Sequence, residues 1–428
     1  MDRRRGPSED LVKAPTRPHA APTVDGQGER LIVRRGVPGT LAHAASRVRS
    51  GDIGTLTIIV GIVLVWVLFG ILNPIFVSST NLSNLLVQSA SEGIIALGVV
   101  LVLLVAEIDL SVGSMAGVGS SILGVGFVLH GWPLGLTVAV VLAAGAVVGL
   151  AYGLIFIRFQ VPSFVITMAG LLALLGLQLM LVGQTGSINI PFNSSIVRFM
   201  ERDALPHTIA YVLAATIAVA YAGLAWARAR RRARAALSSR SATSIVVPSM
   251  MLLLGLEFAC WYVNRSGGVS DAFVVFAALV MAMELLLRRT HWGRAVYAVG
   301  GSREAARRAG INVTAIYISV FVLCAVFASL GGMFLAGWLG ASSTEAGTGN
   351  TNLDAIAAAV IGGTSLFGGR GSAYSALLGV AVIQSIANGL DLLNLSSAQQ
   401  FMITGGVLIV AVIVDSVSQK ARRAHGRA

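Results

Sequence analysis

The chain has 428 residues, of which 55% are hydrophobic and only 12% charged, and its formal net charge is +12. A soluble fold of this size cannot cover so much apolar surface with so few charges, so the composition is typical of a polytopic membrane protein. The positive charge does not indicate nucleic acid as a partner, because the Lys and Arg residues lie between long apolar runs.

The apolar runs predict twelve transmembrane helices, each near the length of about 20 residues that crosses a bilayer. Residues 1–52 precede them and carry ten Lys and Arg residues among Pro, Gly and Asp, which predicts a flexible cytoplasmic tail rather than a signal peptide. We expect a transmembrane domain at 53–418 and a second basic cytoplasmic tail at 419–428. The predicted helices lie near 53–72, 84–106, 111–130, 133–157, 163–183, 207–227, 244–263, 270–287, 313–337, 354–367, 373–395 and 399–416.

The number of spans is open between ten and twelve. The stretch 354–367 is short and flanked by glycines, so it predicts either a crossing helix or a re-entrant or broken one. With twelve spans and both termini cytoplasmic, only Arg198, Arg202 and Arg265 of the 31 Lys and Arg residues lie on the outer side. This asymmetry follows the positive-inside rule and predicts that both termini are cytoplasmic.

Two carboxylates, Glu107 and Asp109, lie between the second and third predicted helices. Residues two apart on a helix point about 200° away from each other, so they form no carboxylate dyad unless the helix breaks there. We expect a break, because Asp109 or Ser111 is a good N-cap and Gly113 relaxes the next turn. Two roles stay open: a capping acid, and a group that lines a substrate path. Glu107 is the better candidate for the path.

The basic loop 288–312 contains a short predicted helix of its own. Its signals are an N-cap, an acid in the first turn, two arginines in the last turn and a glycine just after the end. These residues are Ser302, Glu304, Arg307, Arg308 and Gly310. So short a helix needs a surface to pack on. The loop either lies on lipid headgroups or docks a cytosolic partner.

Four segments together carry a family resemblance. They are the loop 288–312, Glu107–Ser114 (EIDLSVGS), Leu353–Ala357 (LDAIA) and Ile361–Gly369 (IGGTSLFGG) with Gly371 and Ser372. In sequence, order and spacing they resemble the permease subunits of the ribose/xylose/galactose class of binding-protein-dependent ABC importers. The resemblance covers nearly all of 53–418, and it implies an all-α, type II-like ABC importer transmembrane domain with 10–12 helices.

Within this class, two features are similar to the D-xylose permeases. One is the sequence Ala106-Glu107-Ile108-Asp109, and the other is the extra apolar block 241–265. The resemblance therefore implies a permease that translocates a monosaccharide, D-xylose in the first place and otherwise ribose or a related sugar, across the bacterial cytoplasmic membrane. It also implies three protein partners: an ATP-binding subunit, an extracytoplasmic sugar-binding protein and a second permease copy, which gives a homodimer.

The chain itself lacks the means to use ATP. A phosphate-binding loop of the Walker type needs Gly-Lys followed by Ser or Thr, but the two lysines, Lys13 and Lys420, are each followed by alanine. We expect ATP hydrolysis in a separate subunit, and we expect no cofactor, metal or enzymatic activity in this chain. The main alternative is an ion-coupled secondary sugar transporter that acts alone, for which many spans and intramembrane acids are also typical.

Two sets of candidate residues follow. For coupling to the ATPase, the resemblance and the helix signals indicate Ser302, Arg303, Glu304, Arg307, Arg308 and Gly310. For the substrate path, the rare polar residues at membrane depth and one aromatic ring indicate Glu92, Glu107, Asp109, Ser111, Asn352, Asp354, Phe367 and Asn388. Each polar residue alone is also typical of a hydrogen bond that holds membrane helices together.

Two further expectations concern surfaces. Gly145, Gly149 and Gly153 recur at four-residue spacing in the fourth predicted helix, which favours close helix packing within the subunit or across a dimer. The loops 184–206 and 338–352 face outwards in the predicted topology, and we expect the sugar-binding protein to dock near them.

Overall fold

The structure is a computed structural model that describes residues 54–235 and 241–407, together with residues 409 and 413. The predicted tails 1–52 and 419–428 lie outside the described residues, so their cytoplasmic character stays a prediction. The elements of regular secondary structure among the described residues are helices, apart from one pair of three-residue strands.

The helices follow the predicted order closely. They are α1 (Gly54–Leu72), α2 (Ser79–Leu104), α3 (Val112–Ile122), α4 (Leu134–Phe159), α5 (Ser163–Val182), α6 (Ser195–Glu201), α7 (His207–Arg234), α8 (Thr243–Val263), α9 (Asp271–Arg289), α10 (His291–Gly301), α11 (Arg303–Arg308), α12 (Val313–Leu339), α13 (Thr351–Ile361) and α14 (Tyr374–Leu392). A 3-10 turn, Pro74–Val77, joins α1 to α2. A π-helical stretch, Leu123–Leu129, prolongs α3, and residues 397–407 are helical as well.

Eight of the described helices are long and apolar enough to cross a membrane: α2, α3 with its π-helical stretch, α4, α5, α7, α8, α12 and α14. The prediction of an all-α polytopic fold is therefore confirmed. Helices α1, α9 and 397–407 occupy three further predicted spans. The predicted run 354–367 becomes the broken helix that the sequence left open, because α13 ends at Ile361 and glycines with positive φ follow, among them Gly363 at 104° and Gly368 at 78°.

Helix α12 is the central helix of the bundle and packs on α2, α3 and α4. The glycine face of α4 makes the last of these contacts. A Cβ on Gly145, Gly149 or Gly153 would lie within 3 Å of α12 main-chain atoms. The glycines therefore let two helices of one subunit approach backbone to backbone, which is the first of the two alternatives that their spacing left open.

Strands β1 (Ser187–Asn189) and β2 (Ala341–Ser343) pair antiparallel, with Ser187 opposite Ser343. They join the two loops in which the sequence predicts an outer docking surface. After β2 the chain turns back into the bundle beside α3. The hydroxyl of Ser120 near the end of α3 lies 3.2 Å from that of Ser342, and the Gly113 N–H at the beginning of α3 donates to Asn352 Oδ1. Helix α13 therefore begins next to the first turn of α3, inside the bundle.

Helices α7 and α8 form a hairpin at the edge of the bundle. They pack on each other, and α7 buries a row of alanines, Ala210, Ala214 and Ala218, at four-residue spacing. Most other side chains of both helices are exposed. The extra apolar block 241–265, which resembles the D-xylose permeases, corresponds to α8. This similarity to the xylose type therefore lies at the periphery of the fold.

Candidate functional site

The predicted helix break between α2 and α3 is confirmed. Helix α2 ends at Leu104, Ala106 adopts a left-handed φ of 63°, and α3 starts at Val112. Asp109 Oδ1 accepts hydrogen bonds from the Ser111 N–H at 2.8 Å and the Ser111 hydroxyl at 2.7 Å. Ser111 occupies the N-cap position, but its hydroxyl donates to Asp109 and does not cap α3. Asp109 therefore organises the break, as its position in the sequence predicts.

Asp109 is held deep in the protein. Its side chain is only 2% exposed, and the Cys324 thiol donates to its Oδ2 over 3.7 Å. Cys324 follows the first residue of α12 by eleven positions, a rise of about 16 Å, so the carboxylate lies well inside the bundle. An acid enclosed by its own hydrogen bonds fixes the start of α3 and offers little surface to a ligand.

Glu107 has different surroundings from Asp109. It is partly exposed and lies in the connection between α2 and α3. Burial raises the pKa of the Glu107 carboxyl, while the Ser163 hydroxyl and the Arg303 guanidinium oppose that rise. Arg303 belongs to α11, so the charge at the helix break is close to the helix that the sequence assigns to ATPase coupling. Glu107 is therefore more accessible than Asp109, and its place in a substrate path stays a prediction.

A second group of path candidates meets where α2, α3 and α13 converge. Glu92 of α2 is 7% exposed, and Asp354 in the first turn of α13 lies close enough for the two carboxylates to interact. Among the described residues, Glu92 Oε1 and Asp354 Oδ1 are buried and accept no hydrogen bond. Buried oxygens of this kind usually have a donor. This central acid pair, Glu92 and Asp354, therefore has acceptor capacity for a ligand that carries hydroxyl groups.

The remaining two path candidates lie elsewhere. Asn388 of α14 exchanges two amide hydrogen bonds with Asn81 of α2, at 2.7 and 3.1 Å, and is buried. This is the interhelical bond that the sequence left open as the alternative role. Phe367 lies in the glycine-rich loop 362–372 that follows α13, and 63% of it is exposed. The structure thus brings Glu92, Asn352 and Asp354 together, and places Glu107, Asp109 and Ser111 at the adjoining helix break.

Sequence reasoning missed Gln178. This α5 side chain is completely buried, and its Nε2 donates to Ser343 O at 3.0 Å and to Ala346 O at 2.8 Å. It therefore fixes the segment that turns back into the bundle after β2. A single amide in an otherwise apolar predicted helix was the available signal, because such a group needs a partner at membrane depth.

The predicted coupling helix is confirmed as a structural element. Ser302 Oγ accepts from the Ala305 N–H at 3.3 Å, Glu304 pairs with Arg308 at 3.2 Å, and Gly310 follows the helix with a φ of 82°. The predicted contact charges differ in direction. Arg303, Glu304, Arg307 and Arg308 are all exposed, but the Arg303 guanidinium also lies 5.5 Å from the Tyr317 ring centroid and so extends towards the bundle.

Helix α10, which precedes α11, was not predicted as a separate helix. It starts where the Thr290 hydroxyl accepts from the Gly293 N–H at 3.1 Å, and Val296, Val299 and Gly300 form part of its buried face. Only Ser302 separates α10 from α11. The exposed charges of α11 are thus joined through one residue to a helix that is embedded in the bundle.

These features define a class: a multi-pass helical membrane protein in which two broken helices start side by side in the interior and a short charged helix lies at one end. The family described as "Branched-chain amino acid transport system / permease component" matches residues 81–412, and the chain belongs to it.

Individual relatives are sugar permeases. The chain is 36% identical over 345 residues to the xylose transport system permease protein XylH of Escherichia coli K12, which covers 81% of this chain and 87% of the relative. It is 32% identical over 381 residues to the XylH protein of Haemophilus influenzae (87% and 99%). It is 33% identical over 353 residues to the ribose import permease protein RbsC of E. coli K12 (81% and 89%). No solved structure matches the chain.

The comparisons confirm the resemblance to sugar ABC importer permeases, including the similarity to the xylose type. The relatives are permease subunits of ABC transporters, which are not enzymes themselves. The chain is accordingly a multi-pass membrane permease of this family, and the family implies ATP-binding and sugar-binding partners.

Proposed function

We propose that this chain is the membrane subunit of a binding-protein-dependent importer of a monosaccharide, D-xylose in the first place and otherwise ribose or a related sugar. The observation that carries the proposal is the meeting of the α3 and α13 N-termini inside the bundle, next to the central acid pair. A neutral sugar offers several hydroxyl donors, and Glu92 and Asp354 have carboxylate oxygens without donors among the described residues. Family membership and the xylose and ribose relatives support the class of substrate.

The substrate path runs from the strand pair β1–β2 past the central acid pair to Glu107. Asn352 fixes the entrance of α13 on α3 through its bond with the Gly113 N–H. Asp109 and Ser111 hold the helix break that leads to Glu107. The path binds sugar only weakly, because a translocated molecule must be released on the other side. Asn388 and Phe367 lie outside this path, since one is paired with Asn81 and the other lies in the glycine-rich loop.

The partners occupy opposite ends of the bundle. The sugar-binding protein docks on the outer surface around β1, β2 and the loops 184–206 and 338–352. The ATP-binding subunit docks in the cytoplasm on α11, where the exposed contact charges are Arg303, Glu304, Arg307 and Arg308. Two copies of the permease form the complex, and both termini of each copy are cytoplasmic, as the distribution of Lys and Arg indicates.

Reconstitution tests this function directly. The chain is placed in lipid vesicles with ATP enclosed, with and without its ATP-binding subunit and sugar-binding protein, and entry or exit of labelled D-xylose and ribose is followed. We expect transport only with both partners and ATP, and faster transport of D-xylose than of ribose. Transport that needs all three but is equal for both sugars would contradict the xylose assignment and retain the importer.

One observation favours the alternative of an ion-coupled transporter. Two interacting carboxylates inside the bundle, Glu92 and Asp354, are typical of proton- or sodium-driven carriers. That function requires transport by the chain alone, without ATP, and its collapse when an uncoupler removes the proton gradient. The same vesicles distinguish the two functions, because the importer is indifferent to the uncoupler as long as ATP is present.

A further inference from the structure

Three main-chain segments meet at the predicted cytoplasmic side of the bundle: the end of α2, the end of α10 and the glycine-rich loop 362–372. The Gly369 N–H donates to Leu104 O at 2.9 Å. Gly300 of α10 packs directly against both segments. No space remains for a side chain at this position, since a Cβ would overlap Leu104 O and lie 2.6 Å from Gly369 N. We call this contact of Leu104, Gly300 and Gly369 the backbone junction.

Side chains around the backbone junction strengthen it. The Tyr297 hydroxyl of α10 donates to Gly371 O at 3.0 Å. Burial raises the pKa of the Tyr297 phenol, although the nearby Arg288 opposes that rise, so the hydroxyl keeps its proton at neutral pH. Glu284 of α9 accepts from Arg288 Nε at 2.8 Å and from the Ala373 N–H, just before α14, at 2.9 Å. Helices α9, α10 and α14 are thereby joined to the loop.

The position of the backbone junction links the exposed helix to both groups of path candidates. On one side, α10 leads through Ser302 directly into α11. On the other, Leu104 precedes the helix break with Glu107 and Asp109, and the glycine-rich loop follows α13, whose first turn holds Asp354. Contacts between main-chain atoms have no side-chain rotamers to absorb a displacement, so a shift of α10 passes to Leu104 and Gly369.

We propose that Gly300 is a positioning residue through which movement of the cytoplasmic helix pair α10–α11 is passed to the helix break and to the glycine-rich loop. The proposal rests on the proposed function, since it needs an ATP-binding subunit that moves α11. It names the backbone junction, rather than α11 alone, as the part of the permease that determines how much sugar is moved per ATP hydrolysed. Glu284 and Tyr297 hold the junction together.

Neighbouring glycines provide a matched test. Gly300→Ala places a methyl group into the backbone junction, whereas Gly301→Ala adds the same group where no atom lies within 4 Å. Both changes are Gly to Ala in the same helix turn, so they alter backbone propensity equally. Sugar uptake and ATP hydrolysis are measured on the full complex, at equal amounts of assembled protein. We expect the ratio of uptake to hydrolysis to fall about fivefold or more in Gly300→Ala and to stay at the wild-type value in Gly301→Ala.

A second variant covers the case in which Gly300→Ala does not assemble. Tyr297→Phe removes the hydrogen bond to Gly371 O but keeps the ring, and it should also lower the uptake-to-hydrolysis ratio. The inference is overturned if Gly300→Ala keeps the wild-type ratio, if Gly301→Ala loses as much, or if Gly300→Ala fails to assemble and Tyr297→Phe keeps the ratio. A wild-type complex that imports no sugar with ATP contradicts the proposed function instead, so the two failures are distinguishable.

Discussion

The bundle centre and the peripheral hairpin α7–α8 join helices by different means. In the centre, α12 meets α4 through glycines that bring main chains together, and side-chain amides such as Gln178 cross-link segments far apart in the sequence. In the hairpin, a row of alanines packs α7 on α8 and most side chains remain exposed. The centre therefore fixes the relative positions of helix ends, which the candidate path requires. The hairpin exposes most of its side chains at the edge of the bundle and does not contact the candidate path.

Glycine substitutions provide the most direct test of the difference in packing between the bundle centre and the hairpin. Gly149→Ala forces a methyl group against α12 main-chain atoms, whereas Gly255→Ala in α8 meets no atom within 4 Å. We expect Gly149→Ala to lower the free energy of unfolding by about 1–3 kcal/mol through overpacking. Gly255→Ala should change it by no more than about 1 kcal/mol, in the stabilising direction. Thermal unfolding in one detergent compares them, and equal losses would mean that centre and hairpin pack alike.

Buried amide bonds provide a second test of the centre. Gln178→Leu removes the donor to Ser343 O and Ala346 O and should lower the free energy of unfolding by about 1–3 kcal/mol, because buried carbonyls then lose a partner. Thr216→Val is the control in α7, where the hydroxyl donates to Val212 O at an exposed position. Its expected effect is within about 0.5 kcal/mol. Chemical or thermal unfolding measures both, and sugar uptake should fall only in Gln178→Leu.

Asn388 tests where the candidate path ends. Asn388→Leu leaves Asn81 Oδ1 without its donor inside the bundle, while Asn81 Nδ2 keeps its bond to Phe76 O, so we expect a loss of about 1–2 kcal/mol in the free energy of unfolding. The double variant Asn81→Leu with Asn388→Leu should recover only part of this loss, since no amide oxygen remains unpaired but Phe76 O loses its donor. Sugar uptake by the double variant should be close to that of the wild type. Stable double-variant protein without uptake would instead place Asn388 in the path.

Local sequence signals predicted the helices and their caps far better than the contacts between helices. The cap of α11 was predictable because Ser302, Glu304 and Gly310 lie within nine residues of one another, and α5 matches its predicted run to within one residue. The bond between Gly113 and Asn352 joins residues 239 positions apart, and no local periodicity encodes it. The backbone junction could not be predicted for another reason: the glycines around 354–367 indicate a possible break in the helix, but a glycine has no side chain that indicates which segment it contacts.

The smallest effect on stability is expected at the exposed charges of α11, where function rather than folding should change. Glu304 and Arg308 form an exposed pair, and such pairs contribute between about 0 and 1 kcal/mol. Replacing Glu304 and Arg307 together by glutamine should therefore leave unfolding almost unchanged but uncouple ATP hydrolysis from uptake, because both charges lie on the surface proposed to dock the ATP-binding subunit.

Arg230 and Arg234, at the end of α7, provide the control on the hairpin side of the comparison. Their double replacement by glutamine also removes charge from the predicted cytoplasmic surface, yet it should leave the ratio of uptake to hydrolysis unchanged. If both double variants lose coupling equally, coupling depends on charged side chains across this surface and not specifically on those of α11. If neither does, α11 is not the docking helix, and the movement that reaches Gly300 must enter the bundle elsewhere.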